Sequence, residues 1–178
     1  MSSLAVSFGG LLRRFRDNRT GGAAIEFAIV APIFFALLFA IIETALMFFA
    51  SQVLETMTQN SARMILTGQA QTANYQQADF TAYVCSQIPA IFSCANLVVN
   101  VQSFSSFSTA TFNNPFDSNC QLQSNNVQYN PGGPRDVVIV QVSYKWQLFV
   151  TGLGYNIANC PNSQRMLKAT AAFQNEPY

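Results

Sequence analysis

The sequence of 178 residues contains no histidine. Histidine is the commonest general base and a frequent metal ligand, so its absence excludes every imidazole-based triad. After residue 50 the acidic residues are widely spaced, and no two form a pair at the short spacing of a paired-acid or carboxylate–metal site: Glu55, Asp79, Asp117, Asp136 and Glu176. We therefore expect a protein that is not an enzyme and that binds neither a metal nor a cofactor.

Charge is also scarce, at 10% of the residues against roughly a quarter in soluble domains. Arg13, Arg14, Arg16 and Arg19 precede residue 21 with one acid, Asp17, which gives this leader a net charge of +3. The rest of the chain holds five basic and seven acidic residues, a net charge of −2. Without a basic patch beyond the leader, a nucleic-acid partner is not expected. The arginines are typical of the cytoplasmic flank of a membrane helix.

The chain has four cysteines and no CxxC pair, which argues against a cysteine zinc site. All four follow the apolar stretch described next, and an even number in an exported domain predicts two disulfides. The pairing of Cys85 with Cys94 and of Cys120 with Cys160 is one of three possible connectivities, among which the sequence does not choose.

One long apolar run dominates the chain. Residues 21–50 read GGAAIEFAIVAPIFFALLFAIIETALMFFA, and no charged residue occurs from Phe27 to Ile42. A helix of this length exceeds the roughly 30 Å of a bilayer's hydrocarbon core, so we predict a transmembrane segment over residues 22–50. A cleavable signal peptide would have a shorter apolar core followed by small residues. Here the small residues Gly21 and Gly22 precede the core, so any cleavage there would leave the helix on the mature protein.

A basic leader, a glycine, a glutamate at the fifth mature position and a long apolar helix are the arrangement of type IV prepilins. Cleavage after Gly21 makes Gly22 the new N-terminus and Glu26 the fifth residue, whereas cleavage after Gly22 would make Glu26 the fourth. Glu26 with Phe27, then Pro32, then Glu43 late in the helix resemble the TadE-like pseudopilins of the tight-adherence (Flp/Tad) pilus system. Ala62 with Arg63 and the ending AFQNEPY resemble the family as well.

The resemblance implies a subunit that a prepilin peptidase processes and that assembles with other pilin subunits and the Tad inner-membrane machinery. It implies that Glu26 pairs with the α-amino group of a neighbouring subunit's Gly22 and sets the register between subunits. The alternative is that Glu26 only marks the end of the span. Glu43, roughly 26 Å further along the helix, is either an interfacial residue that reaches water or a contact to a partner pseudopilin. Pro32 is expected to kink or loosen the helix locally.

The remaining patterns predict an α+β domain. The helix continues through residues 51–66 with one apolar stripe, Val53, Leu54, Met57, Met64 and Ile65, and ends before Gly68. Residues 69–77 read as a loop, residues 78–88 as a second helix that Pro89 ends, and residues 109–134 as a long surface loop. Strands are predicted at residues 97–104, 136–148 and 165–174, in a small antiparallel sheet of three or four strands.

The expected organisation is thus a cleaved leader (residues 1–21), a transmembrane helix (22–50) and a disulfide-bonded periplasmic or extracellular domain (51–178). The expected function is structural, as a minor pilin or pseudopilin of a Tad pilus involved in surface adherence. The protein would cross the bacterial inner membrane once with its N-terminus in the cytoplasm, and it could enter the extracellular pilus. The alternative is a permanently anchored periplasmic binding or adhesin module that never joins a filament.

Overall fold

The computed structural model describes residues 21–150, 152 and 155–178. The predicted leader, apart from Gly21, therefore lies outside the described residues. Contacts divide the chain into two units, of which the first ends at Ile42 and the second comprises Glu43–Tyr178. The predicted domain boundaries at residues 21 and 50 stay predictions.

Helix α1 comprises Gly22–Leu66, 45 residues without interruption at Pro32. From residue 47 onward it buries one face, at a spacing of three and four residues, against the core of the second unit: Met47, Ala50, Leu54, Met57 and Ile65. The predicted apolar stripe is confirmed, since Val53 and Met64 pack against the same core.

Gly68 ends the helix in the left-handed conformation, with a φ of 73°. The loop predicted after it is only partly correct. A short helix α2, Gln69–Thr72, begins at once, and the Thr72 hydroxyl donates to the Gly68 carbonyl at 2.8 Å. Ala70 of this helix is buried and packs in the core. The surrounding residues are polar, so the sequence did not predict this tertiary contact.

Helix α3 comprises Gln77–Ser86, close to the prediction. It begins with a capping box in which the Asp79 carboxylate accepts the backbone N–H of Gln76 at 2.9 Å. Phe80 and Val84, one turn apart, are fully buried and hold the helix on the core.

The three predicted strands are confirmed as β1 (Leu97–Phe104), β2 (Val137–Gln147) and β3 (Gln164–Gln174). They form one antiparallel sheet in the order β1-β2-β3. Val101, Val140 and Ala171 lie in register across it and are buried. The fold class is therefore the expected one, a long helix and a small domain with a three-stranded sheet.

The long segment between β1 and β2 is more than a surface loop. The Val101 amide donates to the Gln128 carbonyl, and the Asn130 amide donates to the Val101 carbonyl, both at 2.9 Å. Fully buried Asn100 donates to the Asn113 carbonyl and accepts the Gln128 amide. The segment thus covers the outer edge of β1 and satisfies its backbone groups. The side chain of Asn100, in β1, makes two of the bonds that attach it.

Both disulfide pairs are present. Cys85 lies beside Cys94 with a Cα–Cα distance of 5.7 Å, and Cys120 beside Cys160 at 5.6 Å. The disulfide-bonded character of the domain is therefore confirmed. Of the three possible connectivities, the structure has the one that joins Cys85 to Cys94 and Cys120 to Cys160.

Candidate assembly surface

The first unit presents an almost wholly apolar surface. Large side chains are exposed all around the helix: Ile25, Phe27, Ile29, Val30, Ile33, Phe34, Phe35, Leu37, Leu38, Phe39, Ile41 and Ile42. Within the described residues α1 is the only helix long and apolar enough to cross a membrane, and none of its most apolar 18-residue window is buried. At about 1.5 Å per residue, residues 22–42 span roughly 31 Å, the thickness of a hydrocarbon core.

The predicted processing and register residues lie together at the start of this helix. Gly21, Gly22 and Glu26 are exposed, and the first helical turn contains no acidic residue. Nothing lies within 4 Å of the position that a Cβ would take on either glycine. This holds for the described residues, which exclude the leader before Gly21. The assigned roles of Gly21, Gly22, Glu26, Phe27 and Pro32 stay predictions.

Glu43 is buried in the second unit. Its side chain is only 4% exposed. One carboxylate oxygen accepts the backbone N–H of Phe149, and the other accepts that of Val150 at 2.9 Å. These amides belong to the loop between β2 and β3. A buried carboxylate that accepts backbone amides avoids the large cost of an unpaired charge. The expectation that this side chain reaches water is therefore wrong, while a role in assembly stays a prediction.

The next residue strengthens the attachment. The hydroxyls of Thr44 and Tyr155 share a hydrogen bond, so two consecutive helix residues hold the β2–β3 loop, one near its start and one near its middle. Farther along the same loop, Cys160 is bonded to Cys120. Glu43 thus binds the β2–β3 loop to the start of the second unit. The one sequence signal for this role is an acidic residue within an apolar helix.

A cavity of 540 Å³ lies beside the helix residues that follow. Its lining combines the helix side chains Met47, Phe48 and Ser51 with residues from β3 and from the β1–β2 segment, among them Arg165, Lys168 and Asp117. Lys168 donates to the Asn114 side chain at 3.1 Å, and burial lowers the pKa of its ammonium. Lys145 and Lys168 lie 5.7 Å and 5.9 Å from the centroid of the Phe116 ring, within reach of a cation–π attraction.

Asp117 serves its own loop. Its carboxylate accepts the amides of Asn119 and Gln121 at 2.9 Å and 2.8 Å and the Gln123 side chain at 3.3 Å. Both oxygens of this single carboxylate already accept hydrogen bonds, so it is a poor ligand for a cation. In the part of the chain that the structure describes, no three histidine, cysteine or acidic residues are grouped so that they could hold a metal.

The model of the family described as TadE-like protein matches residues 21–63. Residues 21–63 are therefore similar to the TadE-like family, over about a quarter of the chain. The search of curated proteins and the search of solved structures return no match. The predicted resemblance is confirmed over residues 21–63, a range that contains the Gly-Gly step, Glu26, Pro32 and Glu43.

The TadE-like match ends at Arg63, so the sheet, the disulfides and the β2–β3 loop lie beyond it. The structure brings Glu43 together with Phe149, Val150 and, through Thr44, with Tyr155. Sequence reasoning missed these loop partners because they lie more than 100 positions away and carry no motif.

Proposed function

We propose that this protein is a structural subunit, a minor pilin or pseudopilin of a Tad (Flp) pilus that takes part in surface adherence. The observation that carries the proposal is the TadE-like match to residues 21–63, on a helix whose first unit exposes apolar side chains on every side. Such a surface requires either lipid or the helices of other subunits around it. The membrane supplies lipid around the helix before assembly, and the filament supplies the helices of other subunits afterwards.

A prepilin peptidase would cut between Gly21 and Gly22 on the cytoplasmic side of the inner membrane. Removing the leader removes a net charge of +3, which a bilayer interior would exclude. The helix can then leave the bilayer and pack against others. In this proposal the chain is the substrate of the peptidase and has no catalytic activity of its own.

The new α-amino group on Gly22 would pair with Glu26 of a neighbouring subunit. A carboxylate drawn into a bundle of apolar helices is costly unless it has a cationic partner. The pairing therefore fixes the axial register between subunits, since other registers leave the carboxylate unpaired.

The test is incorporation into sheared pili, compared with the amount of protein in the membrane fraction. Glu26→Gln keeps the size and removes the charge, and it should leave membrane insertion unchanged while lowering incorporation at least tenfold. Glu26→Asp keeps the charge and should retain part of the incorporation. Equal incorporation of wild type and Glu26→Gln would contradict the register role. Finding the wild type only in membranes would favour the permanently anchored periplasmic module.

A further inference from the structure

The second unit exposes an unusual side chain where it is attached to Glu43. Phe149 is 83% exposed, although its own amide is bonded to the carboxylate of Glu43. On the helix, the turns that follow Glu43 expose Leu46, Phe48 and Phe49. Exposed apolar side chains from two separate segments therefore occur at the same end of the unit, and exposing them to water costs free energy.

Cations lie a short distance farther along the helix. The cavity that contains Arg165 and Lys168 is lined on the helix side by Met47, Phe48 and Ser51. These helix positions lie roughly 6 to 12 Å beyond Glu43. Lys145 adjoins the same group through Phe116, so three of the five basic residues after residue 42 gather here.

This order of chemistry matches one surface of a bilayer. Moving outward, the hydrocarbon core ends and a headgroup layer roughly 5 to 8 Å thick begins. On the protein, the exposed Phe149 at the level of Glu43 is followed by cations at the level of residues 47–51. Three cations lie near two carboxylates, those of Glu43 and Asp117, so the net charge of the group is positive.

We propose that this end of the second unit is a lipid-contacting surface. Phe149 enters the boundary between acyl chains and headgroups, and the cavity beside Arg165 and Lys168 takes the headgroup of an anionic phospholipid. The Glu43 contact holds the loop so that Phe149 lies at that depth. The inference rests on the membrane-spanning part of the proposed function and is independent of the pilus.

The depth of Phe149 can be measured on the full-length protein in nanodiscs. All four cysteines are paired, so Phe149→Cys supplies a single thiol for an environment-sensitive fluorophore. Phe34→Cys, within the apolar helix, is the reference for a residue in lipid. Phe107→Cys, also an exposed phenylalanine but on the turn after β1, is the matched control. Near-UV circular dichroism of the Phe92, Tyr144 and Trp146 ring cluster checks that each variant is folded.

With brominated acyl chains, the labels at positions 34 and 149 should be quenched and the label at 107 should not. A label at 149 that behaves like the label at 107 overturns the proposal. If quenching at 149 vanishes when each disc holds a single chain, the surface contacts a second copy and the proposal fails. If the label at 34 is also unquenched, the membrane span itself fails, which distinguishes the two hypotheses.

The headgroup part is tested with spin-labelled phosphatidylglycerol and phosphatidylcholine in vesicles that contain the full-length protein. Lys168→Gln should reduce the preference for phosphatidylglycerol about three- to fivefold at low salt, the effect expected for one surface cation. Arg63→Gln removes the same charge from the exposed last turn of α1 and should leave the preference unchanged. Equal preferences in both variants would overturn this part of the proposal.

Discussion

The carboxylate of Glu43 and the amide of Val150 lie 2.9 Å apart although 107 positions separate them in sequence. The carboxylate also accepts the preceding amide, that of Phe149, with its other oxygen. A charged side chain in an apolar helix is therefore satisfied by its own chain, and the β2–β3 loop is fixed to the start of the second unit.

Replacing Glu43 should release that loop. In Glu43→Ala the amides of Phe149 and Val150 lose their acceptor, and we expect a loss of roughly 1 to 3 kcal/mol in unfolding free energy. Amide hydrogen exchange at residues 149 and 150 should accelerate at least tenfold. Glu43→Gln, which keeps one acceptor oxygen, should show a smaller effect.

Glu55→Gln is the matched control, since Glu55 only accepts the Gln59 side chain one turn away. It should change stability by less than about 0.5 kcal/mol. Unchanged exchange at residues 149 and 150 in Glu43→Ala would show that the contact does not hold the loop.

Gly68 should tolerate no side chain. Its φ of 73° favours glycine, and a Cβ would lie 2.5 Å from the Tyr178 ring. We expect Gly68→Ala to cost about 2 kcal/mol or more in a denaturation experiment, through both backbone strain and collision. Adding Tyr178→Ala relieves the collision only, so the double variant should cost less than the two single changes added together.

Gly133→Ala provides the comparison, because its nearest neighbour would be 3.7 Å away. It should be nearly neutral. A Gly68→Ala protein as stable as Gly133→Ala would mean that Tyr178 moves aside without cost and that the backbone strain is small.

The two disulfides should differ in what they protect. In the chain-entropy model the loop closed by Cys120 and Cys160, 40 positions apart, contributes about 4 kcal/mol, and that closed by Cys85 and Cys94 about 3 kcal/mol. Replacing Cys120 and Cys160 by serine should also expose residues 109–134 to limited proteolysis. Replacing the other pair should not, because that segment has no bond to Cys85 or Cys94. Equal cleavage in both variants would contradict this assignment.

Tyr129 should make the protein sensitive to alkali. Its hydroxyl is buried without a hydrogen-bond partner among the described residues. Burial, followed by the nearby Asp79 charge, raises the pKa of this phenol to about 12. Between pH 10 and pH 12 the folded state keeps a proton that the unfolded state releases, so stability falls as pH rises. The stabilisation is complete below pH 10.

Tyr129→Phe should abolish this part of the slope. We expect the variant to lose about 1 kcal/mol less than wild type between pH 10 and pH 12, a value reduced for solvent screening because Tyr129 is only half-buried. The measurement is denaturant unfolding in detergent at each pH. Parallel curves for the two proteins would show that the hydroxyl is accessible to water in solution.

The fold could be predicted where local pattern and tertiary packing agree. The period-two alternation in β2 fits only a strand, and the apolar stripe of α1 fits only a helix. The predicted bounds of both elements were correct to within a residue or two. Helix α2 could not be predicted, because Ala70 carries the packing that makes it a helix. The partners of Asn100 could not be predicted either, since Asn113 and Gln128 lie in a segment whose residues are typical of turns and loops.

The candidate site divides in the same way. Gly21, Gly22 and Glu26 form a local motif, and the resemblance of this motif to prepilins suggested processing. Glu43 stood out as a charge in an apolar helix, but its partners Phe149 and Val150 are ordinary loop residues. What such a carboxylate binds is decided by tertiary structure, which one sequence does not contain.

The most direct test of the account is the intact mass of the mature protein, purified from membranes and pili under non-reducing conditions. The account predicts a chain that begins at Gly22, without residues 1–21 and with both disulfides intact. Recovery of the chain with its arginine-containing leader, or cut beyond the apolar helix, would contradict the proposal that this protein is a processed pilus subunit.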